Sequence, residues 1–513
     1  MTAAADLRRW ALDTPHRSAV VFGNMHLSYA ELEALANRYA RVFESRGLAR
    51  GDHLVSLCGN RPEALGIAWG AYRCGLYLTP MPTTLALPEA VYMVGNAEAK
   101  LVVVDAALAE LGADLRAALQ HEPVSWLSIG GSIEHFDALE TLAAGEPPTA
   151  RAHEPPGALM VYTSGTTGAP KGVWRPLPAA DYRGPPAFAA DLLQLFGLGG
   201  KGVRYLSTAP LYHAAPLRFA LAVTAGGGTV HLMERFDAEL ALDLLVREVI
   251  THSLWVPTMF QRMLALPESR RCAFAAPSHR VAVHGAAPCT ATLKQRMVDW
   301  WGPILLEYYS GSEGIGLTLI DSVEALRKPG SVGRARKGAI HVLGADGQEL
   351  AAGETGVVHF SGIAPFTYFK EPQKTAARTS EQGWQTFGDV GHVDVDGYLY
   401  LSDRQDDMII SGGVNIYPQE IEQAILEVPG VSECAVVGVA DERFGERPLA
   451  FVVPERDEVR AQQALVAAIE AHNRRRLGRL KWPSEIRIIE ALPRSATGKV
   501  LRRVLRDLLG RPS

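Results

Sequence analysis

The chain has 513 residues, which is too long for one compact core, so length alone predicts two or more domains. Its composition, 47% hydrophobic and 21% charged, is ordinary for a globular enzyme. A net charge of −5 gives no sign of a nucleic-acid partner.

The cysteines and the N-terminus indicate where the protein works. The five cysteines include no C-x-x-C pair, which argues against a disulfide framework and a zinc site and favours a reducing compartment. The first residues lack the apolar core of a signal peptide, and no apolar run is long enough to span a bilayer. We therefore expect a cytoplasmic protein without a transmembrane segment. Peripheral membrane contact and a homodimer both stay open.

Strand-like and helix-like patterns alternate through the first half of the chain. Residues 53–59 (HLVSLCG) predict a buried strand, residues 61–75 a helix closed by glycine, and residues 99–105 (AKLVVVD) another strand. This alternation predicts an α/β fold of layered sheets. The segment EPPG at 154–157 then breaks the chain before the next apolar run.

The pattern changes near residue 404. There the sequence predicts a strand, a polar turn, a ribbon and a helix, followed by the strand-like runs SECAVVGVA and PLAFVVPE. These elements are typical of a small α+β unit. We predict a large domain over residues 1–405 and a small, mobile C-terminal domain over residues 406–513.

Residues 158–172 (ALMVYTSGTTGAPKG) combine features of an anion-binding loop. ALMVY predicts a strand, and Thr163 to Gly172 a mobile loop after it. Glycines let the backbone approach a ligand, hydroxyls and amides donate hydrogen bonds, and Lys171 adds a point charge for phosphate. The spacing before Lys171 does not fit the Walker A pattern, which argues against a P-loop nucleoside triphosphatase. A shorter run such as SGTTG would be read as a solvated loop.

The run YTSGTTGAPKG resembles the signature of the adenylate-forming superfamily, which includes acyl-CoA synthetases, firefly luciferase and the adenylation domains of peptide synthetases. The resemblance extends from about Tyr29 to Arg503. It implies that the loop binds the phosphates of ATP. The residues carried over are Thr163, Ser164, Gly165, Thr166, Thr167, Gly168 and Lys171.

Three later segments resemble the nucleotide-binding and acyl-binding motifs of that superfamily. APLYHAAP (209–216) would place His213, a catalytic candidate, beside the acyl group and the adenylate. VHGAAPC (283–289) would hold adenine and form one wall of the acyl pocket through Gly285, Ala286 and Ala287. A lone histidine is more often structural, and a tight strand end is the plain alternative for the second segment.

LEYYSGSEGIG (306–316) resembles the Y-G-x-T-E motif. There Tyr309 would stack on adenine, Ser312 would bind phosphate, and Glu313 would bind Mg²⁺ through a carboxylate oxygen. Ser310 stands where glycine is usual, which puts the local backbone fit in question. Ser312 stands where threonine is usual but keeps the hydroxyl.

The C-terminal third contains the segments that resemble the ribose-binding motif and the interdomain hinge. WQTFGDVGHVDVDGYLYLSDR (384–404) resembles the ribose motif, with Asp389 and Arg404 on the ribose hydroxyls. Thr386 stands one residue early, with Phe387 intervening, and is not carried over. DRQDDMIISGGVNIYPQEIE (403–422) resembles the interdomain hinge, with Asp406 at the hinge.

Two further positions complete the resemblance. Gly412 and Gly413 would approach the pantetheine arm of coenzyme A, although a simple turn is the plain alternative for SGG. LPRSATGKVLRR (492–503) resembles the C-terminal catalytic motif, whose lysine is Lys499.

Together these motifs imply an AMP-forming acid–CoA ligase that uses ATP, Mg²⁺ and coenzyme A. The acid would be apolar, such as a fatty, aromatic or steroid-side-chain acid, because no charged side chain stands out among the pocket candidates. Those candidates are His213, Ala214, Phe219, Gly285, Gly314 and Ile315. Three alternatives stay open: an adenylating enzyme that loads a free carrier protein, a luciferase-like oxygenase, and a nucleotide-binding homologue without turnover.

Overall fold

The computed structural model describes the backbone of residues 6–163, 170–182, 186, 189–404, 407–411, 414–441, 443–455, 459–494 and 500–510. Within these ranges the α-helices are α1 (Leu7–Asp13), α2 (Tyr29–Ser45), α3 (Pro62–Arg73), α4 (Leu87–Asn96), α5 (Ala109–Ala118), α6 (Leu139–Ala144), α7 (Ala190–Leu195), α8 (Ala214–Gly226), α9 (Ala238–Arg247), α10 (Pro257–Leu264), α11 (Glu268–Cys272), α12 (Ala291–Trp301), α13 (Ser322–Arg327), α14 (Pro372–Ala376), α15 (Pro418–Leu426), α16 (Val459–Arg476) and α17 (Arg502–Asp507).

The strands of the same ranges are β1 (Ser18–Phe22), β2 (Met25–Ser28), β3 (His53–Leu57), β4 (Tyr77–Pro80), β5 (Ala99–Asp105), β6 (Ser125–Ile129), β7 (Asp137–Ala138), β8 (Ala158–Leu159), β9 (Tyr162–Thr163), β10 (Lys171–Trp174), β11 (Arg204–Ser207), β12 (Thr229–Leu232), β13 (His252–Trp255), β14 (Val281–His284), β15 (Leu305–Tyr309), β16 (Leu317–Asp321), β17 (Ser331–Lys337), β18 (Ala339–Leu343), β19 (Gly356–Ser361), β20 (Thr367–Tyr368), β21 (Gln385–Val393), β22 (Leu399–Arg404), β23 (Ile409–Ser411), β24 (Val414–Ile416), β25 (Val431–Asp441), β26 (Gly445–Pro454) and β27 (Ile486–Ile488).

Local sequence explains why several of these helices begin and end where they do. Helix α2 begins with a capping box, because the Ser28 hydroxyl accepts from the Glu31 amide and the Glu31 carboxylate accepts from the Ser28 amide. Helix α3 begins at Pro62, where the missing amide proton costs nothing. It ends just before Gly75, whose φ of +69° suits glycine. The helix and the strands predicted over 53–59, 61–75 and 99–105 are confirmed.

Two large sheets form the layers of the first domain. The first has the order β7-β6-β5-β3-β4-β8, and all its pairings are parallel. The second has the order β18-β19-β21-β22-β17-β16-β15-β14-β13-β11-β12-β1-β2. Helices α2, α3 and α8 bury their apolar faces between the sheets around Tyr39, Phe43 and Trp69. Parallel strands covered by helices are the expected α/β arrangement, which is therefore confirmed.

The large sheet changes character along its width. From β1 through β12, β11, β13 and β14 to β15 the strands pair in parallel, whereas from β15 to β18 they pair antiparallel. In chain order the last strand of this sheet is β22, which ends at Arg404. The parallel half therefore presents several carboxyl-terminal strand ends at one edge.

The C-terminal residues form a separate small sheet of order β24-β23-β26-β25, with β27 beside β26. Helices α15 and α16 cover one face of this sheet, around Ile421 and Ile469, and α17 covers the other through Leu505. The expected small α+β unit is confirmed. Its boundary at residue 405 stays a prediction, because residues 405 and 406 lie outside the described part. Among the described helices, none is both long enough and apolar enough to cross a membrane.

Candidate active site

Three loops that carry predicted site residues leave the large sheet at the same edge. Strands β11, β13, β14 and β15 are parallel neighbours, so the loops that follow them emerge together at their carboxyl ends. The loop after β11 leads to His213, the loop after β14 begins at Gly285, and the loop after β15 carries Glu313. Ligands of open α/β sheets bind at such an edge, so the site lies where the topology favours it.

Position 285 requires glycine because the neighbouring strand β15 leaves no room for a side chain. A Cβ atom at this position would lie 2.6 Å from the carbonyl oxygen of Tyr308, which is backbone and cannot move aside. The chain then turns through Ala286, whose φ is +69°, and both Ala286 and Ala287 are exposed. The three small residues expected to hold adenine therefore form a ledge at the sheet edge, in which Ala286 and Ala287 are exposed and Gly285 is buried.

The loop from Ser310 to Gly316 is closed by its own hydrogen bonds. The Ser310 hydroxyl donates to the Gly316 carbonyl at 2.7 Å, and the Gly314 amide donates to the Gly311 carbonyl at 3.0 Å. Serine at position 310, where glycine is usual in the motif, is therefore accommodated, because its side chain stabilises the loop. Ser312 lies in this loop and is half-buried.

The predicted adenine and ribose residues are in direct contact. The Tyr309 hydroxyl donates to the carboxylate of Asp389, which lies on β21 and is 8% exposed. Asp389 stands opposite Arg404 in the pairing of β21 with β22, which brings the second ribose candidate to the same place. The Arg404 side chain itself lies outside the described part.

Thr386 and Phe387 explain the irregular ribose motif. The Thr386 hydroxyl donates to the Val358 carbonyl at 2.6 Å and accepts from the Gly388 amide, so it serves the sheet. The Phe387 ring stands edge-on to Tyr309, with ring centroids 5.6 Å apart. The extra residue thus orients the tyrosine, while the threonine hydroxyl is already engaged.

Glu313 is held by a residue that the sequence did not suggest. Glu313 is only 9% exposed, and its carboxylate accepts a 2.8 Å hydrogen bond from the Tyr368 hydroxyl. The ammonium of Lys171 lies 5.1 Å from the centroid of the same tyrosine ring, at cation–π distance. Strand β20 pairs with β10, which brings Tyr368 to Lys171. Tyr368 therefore connects the predicted phosphate lysine with the predicted metal carboxylate.

Glu313 fits the role of one Mg²⁺ ligand. Magnesium prefers oxygen ligands and is commonly held by one or two carboxylates together with phosphates and water. Gly311 leaves room beside the second carboxylate oxygen, because a Cβ there would lie 2.8 Å from it. In the described ranges no group of three or more His, Cys, Asp or Glu side chains could hold a metal ion.

The segment around residues 158–172 differs from its prediction at both ends. ALMVY is not one strand: β8 pairs with β4 of the first large sheet, whereas β9 pairs with β10 of a small sheet of order β20-β10-β9. The chain changes sheets between them. Thr163 and Lys171 are paired across β9 and β10, so both belong to strands and not to a mobile loop as predicted. Backbone pairing outweighs the glycine-rich composition here.

The acyl-pocket candidates divide into two groups. His213 occupies the N-cap of α8, with Ala214 as the first helical residue, and Gly314 lies in the loop after β15. Phe219 is 2% exposed and packs against Phe196 and Tyr308. Ile315 is also 2% exposed and lies in a core cluster with Val161, Val173, Val358, Phe360, Phe366, Tyr368, Phe387 and Leu399. The first group faces the site loops, and the second belongs to the packed interior behind them. Their role in acyl binding stays a prediction.

Two arginines near the site also escaped the sequence analysis. Arg218 on α8 donates to the Ser312 carbonyl at 3.4 Å, and Arg175, just after β10, donates to the Gly314 carbonyl at 3.4 Å. Burial is the main reason that the pKa of Arg218 falls to about 10, and nearby Arg175 lowers it further. Burial also lowers the pKa of Arg175, against the opposing effect of Glu313. The sequence analysis assigned neither arginine a role, because no catalytic or binding motif singles them out.

Several predicted residues lie outside the described part of the chain, and their roles stay predictions. They are Ser164, Gly165, Thr166, Thr167, Gly168, Asp406, Gly412, Gly413 and Lys499.

Comparison with known proteins agrees with this geometry. The family described as AMP-binding enzyme matches residues 7–367, and the AMP-binding enzyme C-terminal domain matches residues 420–499. A long-chain-fatty-acid–CoA ligase, FadD13, of Mycobacterium tuberculosis is 34% identical over 508 residues, covering 98% of this chain and 97% of its own length. An indoleacetate–CoA ligase of Aromatoleum aromaticum is 31% identical over 509 residues, covering 97% of this chain and 96% of its own.

The fold of this chain is also similar to that of a solved structure. The crystal structure of ATP-bound MatB from Rhodopseudomonas palustris superposes with a TM-score of 0.81 at 29% identity and covers 99% of both chains. Sequence and fold therefore agree over both domains.

Proposed function

The chain belongs to the AMP-binding enzyme family, and we propose that it is an AMP-forming ligase that joins an apolar carboxylic acid to coenzyme A. One observation supports this most strongly. Tyr309 and Asp389, the candidates for adenine and ribose, are hydrogen-bonded to each other beside the loop that carries Glu313. Likeness to acid–CoA ligases over nearly the whole chain supports the same reaction class.

The first half-reaction activates the acid. A carboxylate is a poor acyl donor because oxide is a poor leaving group. In the proposed step a carboxylate oxygen attacks the α-phosphorus of ATP, the bond to the bridging oxygen breaks, and pyrophosphate leaves with that electron pair. Such a transfer requires positioning and charge neutralisation more than a protein nucleophile. Lys499 would bridge the carboxylate and the α-phosphate, while Lys171 and the preceding loop hold the departing phosphates.

The nucleotide would be held by the residues at the sheet edge. The ring of Tyr309 would stack on adenine above the ledge formed by residues 285–287. Asp389 would accept hydrogen bonds from the ribose hydroxyls, a role for which a carboxylate is suited. Glu313 would hold Mg²⁺, which when bound would neutralise charge on the phosphates. Tyr368 orients that carboxylate.

The second half-reaction transfers the acyl group. The thiol of coenzyme A, losing its proton, attacks the acyl carbon, and AMP leaves as the anhydride bond breaks. Lys499 would obstruct the thiol in the position that the first step requires. We propose that the small domain rotates about Asp406, removes Lys499 and brings Gly412 and Gly413 to the pantetheine arm. Rotation at a few hinge residues is a common way to alternate two catalytic arrangements.

The substrate is proposed to have an apolar carbon skeleton. Ala214, Gly285 and Gly314 are small, which leaves space beside the adenylate, and Phe219 and Ile315 add apolar surface behind them. The named substrates of the two CoA ligases compared above, a long-chain fatty acid and indoleacetate, support a fatty or aromatic acid. A steroid-side-chain acid fits the same description.

A screen of carboxylic acids with ATP and coenzyme A tests the proposal. Each reaction is followed by AMP release, and the accepted acids should give AMP, pyrophosphate and a CoA thioester. Release of ADP would contradict adenylation. A reaction that yields acyl-AMP but requires a carrier protein as thiol acceptor would refute the CoA assignment.

A matched pair of variants tests the nucleotide site. Asp389→Asn should raise the KM for ATP at least tenfold, because the amide accepts hydrogen bonds through only one oxygen. Asp346→Asn, at an exposed turn, serves as the control and should leave that KM unchanged. Equal KM values for the two variants would argue against ribose binding by Asp389.

A further inference from the structure

Arg175 and Arg218 reach the same short loop from two different elements. The Arg218 guanidinium contacts the carbonyl of Ser312 at 3.4 Å, and the Arg175 guanidinium contacts the carbonyls of Gly314 at 3.4 Å and Ala364 at 3.3 Å. Hydrogen bonds of this kind are commonly 2.9–3.0 Å long, so all three contacts are at the weak limit. The loop therefore satisfies these two cations poorly.

Neither guanidinium has a carboxylate partner within the described residues. Other enclosed arginines of the chain are paired: Arg61 lies 3.0 Å from both Glu63 and Asp105, and Arg73 donates to Glu33 at 2.9 Å. A charge that is withdrawn from water is costly unless it is paired. Two like charges near each other add to that cost.

Glu313 is the acidic group that acts on both arginines, yet it forms no ion pair with either in the part of the chain that the structure describes. Its carboxylate is instead engaged by Tyr368. If Glu313 also binds Mg²⁺, as proposed, its charge is used there. The two guanidinium groups would then lack an opposing charge from the described protein.

The pair lies against the elements assigned to the acyl group. Arg218 follows Ala214 by four residues on α8, so both lie on the same helix face. Gly314, another pocket candidate, has no side chain to separate its backbone from Arg175: a Cβ there would lie 3.5 Å from Nη1. Each arginine keeps part of its surface exposed to solvent.

We propose that Arg175 and Arg218 form a subsite for a second anionic group, such as a carboxylate, at the far end of the acid substrate. The inference rests on the proposed ligase function and sharpens its substrate class: the carbon skeleton is apolar, but the acid carries two negative charges. Guanidinium groups suit this role because they present several donors in a plane and match the geometry of a carboxylate.

The test uses pairs of linear acids of equal length, one monocarboxylic and one dicarboxylic, in the AMP-release assay with the full chain. The readout is the ratio of kcat/KM for the diacid to kcat/KM for the monoacid. We expect the unmodified enzyme to favour the diacid at least tenfold in the best pair. Arg218→Met should lower the ratio tenfold to a hundredfold, which corresponds to losing a hydrogen bond to a charged group.

Two further variants separate recognition from loss of structure. Arg218→Lys keeps the charge without the planar fork and should retain an intermediate ratio. Arg475→Met replaces an exposed arginine on α16, in the small C-terminal unit, and should keep the full ratio. Melting temperatures of the variants show whether they fold.

Each other outcome overturns the subsite. A monoacid preference in every pair, or a ratio that Arg218→Met leaves unchanged, refutes it while AMP release still supports the ligase. A constant ratio together with a raised KM for ATP would assign the arginines to nucleotide phosphates instead. If no acid of either class yields AMP, the proposed function itself fails, and the subsite fails with it.

Discussion

Replacing Tyr368 by phenylalanine would separate its hydrogen bond to Glu313 from its ring contact with Lys171. The variant loses the hydroxyl that donates to Glu313 at 2.8 Å but keeps the ring against which the Lys171 ammonium lies. The variant therefore tests the hydrogen bond to the carboxylate. Because Tyr368 is 5% exposed, water has little access to replace the lost donor.

The size of the effect follows from the charge and the burial of Glu313. A hydrogen bond to a charged group contributes about 1.5–3 kcal/mol, and residues that orient a metal ligand change metal affinity by roughly 10–100-fold. If Glu313 binds Mg²⁺, the Mg²⁺ concentration for half-maximal pyrophosphate release should rise by about that factor in Tyr368→Phe. The KM for the acid should change much less, because the ring and the loop backbone remain.

The assay is a Mg²⁺ titration of pyrophosphate release at saturating ATP and acid. Tyr398→Phe is the matched control, since the Tyr398 hydroxyl also donates to a glutamate, Glu324, at 2.8 Å, but away from the candidate site. That control should keep the Mg²⁺ dependence of the unmodified enzyme. If both variants titrate identically, Tyr368 does not position a metal ligand and the reasoning is refuted.

Three further predictions concern catalysis and stability. Lys499→Ala should suppress adenylate formation far more than thioester formation from preformed acyl-AMP. Equal losses of activity in the two assays would contradict the proposal that Lys499 acts only in the first half-reaction. Glu307→Gln should lower the free energy of unfolding in urea by about 3–5 kcal/mol by leaving buried Lys294 unpaired, whereas the double variant Lys294→Met/Glu307→Leu should recover most of it. Burial lowers the pKa of several histidines to about 3 or 4, so they stay neutral when folded and bind a proton near pH 6.5 when unfolded. The free energy of unfolding should therefore fall as pH drops from about 6.5 towards 4. His231→Leu should reduce that slope by about 1.4 kcal/mol per pH unit, and an unchanged slope would count against it. The histidines are His53, His231, His252, His279 and His284.

The sequence predicted which elements form and which motifs meet. Tyr309 and Asp389 are 80 residues apart, yet their motifs assigned both to the nucleotide, and the structure places them in contact. The strand pattern at 99–105 was sufficient because the apolar run is short and contains three consecutive valines, and short β-branched runs favour a strand over a helix. The small C-terminal unit followed from a similar change of pattern near residue 404.

Where the prediction failed, the cause was strand pairing that composition does not reveal. Composition around Thr163 and Lys171 indicated a loop, but the two residues pair with each other, and β10 then pairs with β20. That second pairing joins segments separated by almost 200 residues. Local preferences of glycine and threonine contain no information about such a partner.

The sequence by itself predicted the family, the order of the two domains and the main candidate site residues, because these predictions depend on short motifs and local periodicity. Only the tertiary structure decided which side chains support them. The contact of Tyr368 with Glu313, the need for glycine at position 285 and the convergence of Arg175 with Arg218 all arise between separate elements. Distances of a few ångströms between such elements are set by the packing of whole sheets and helices, which no short segment encodes.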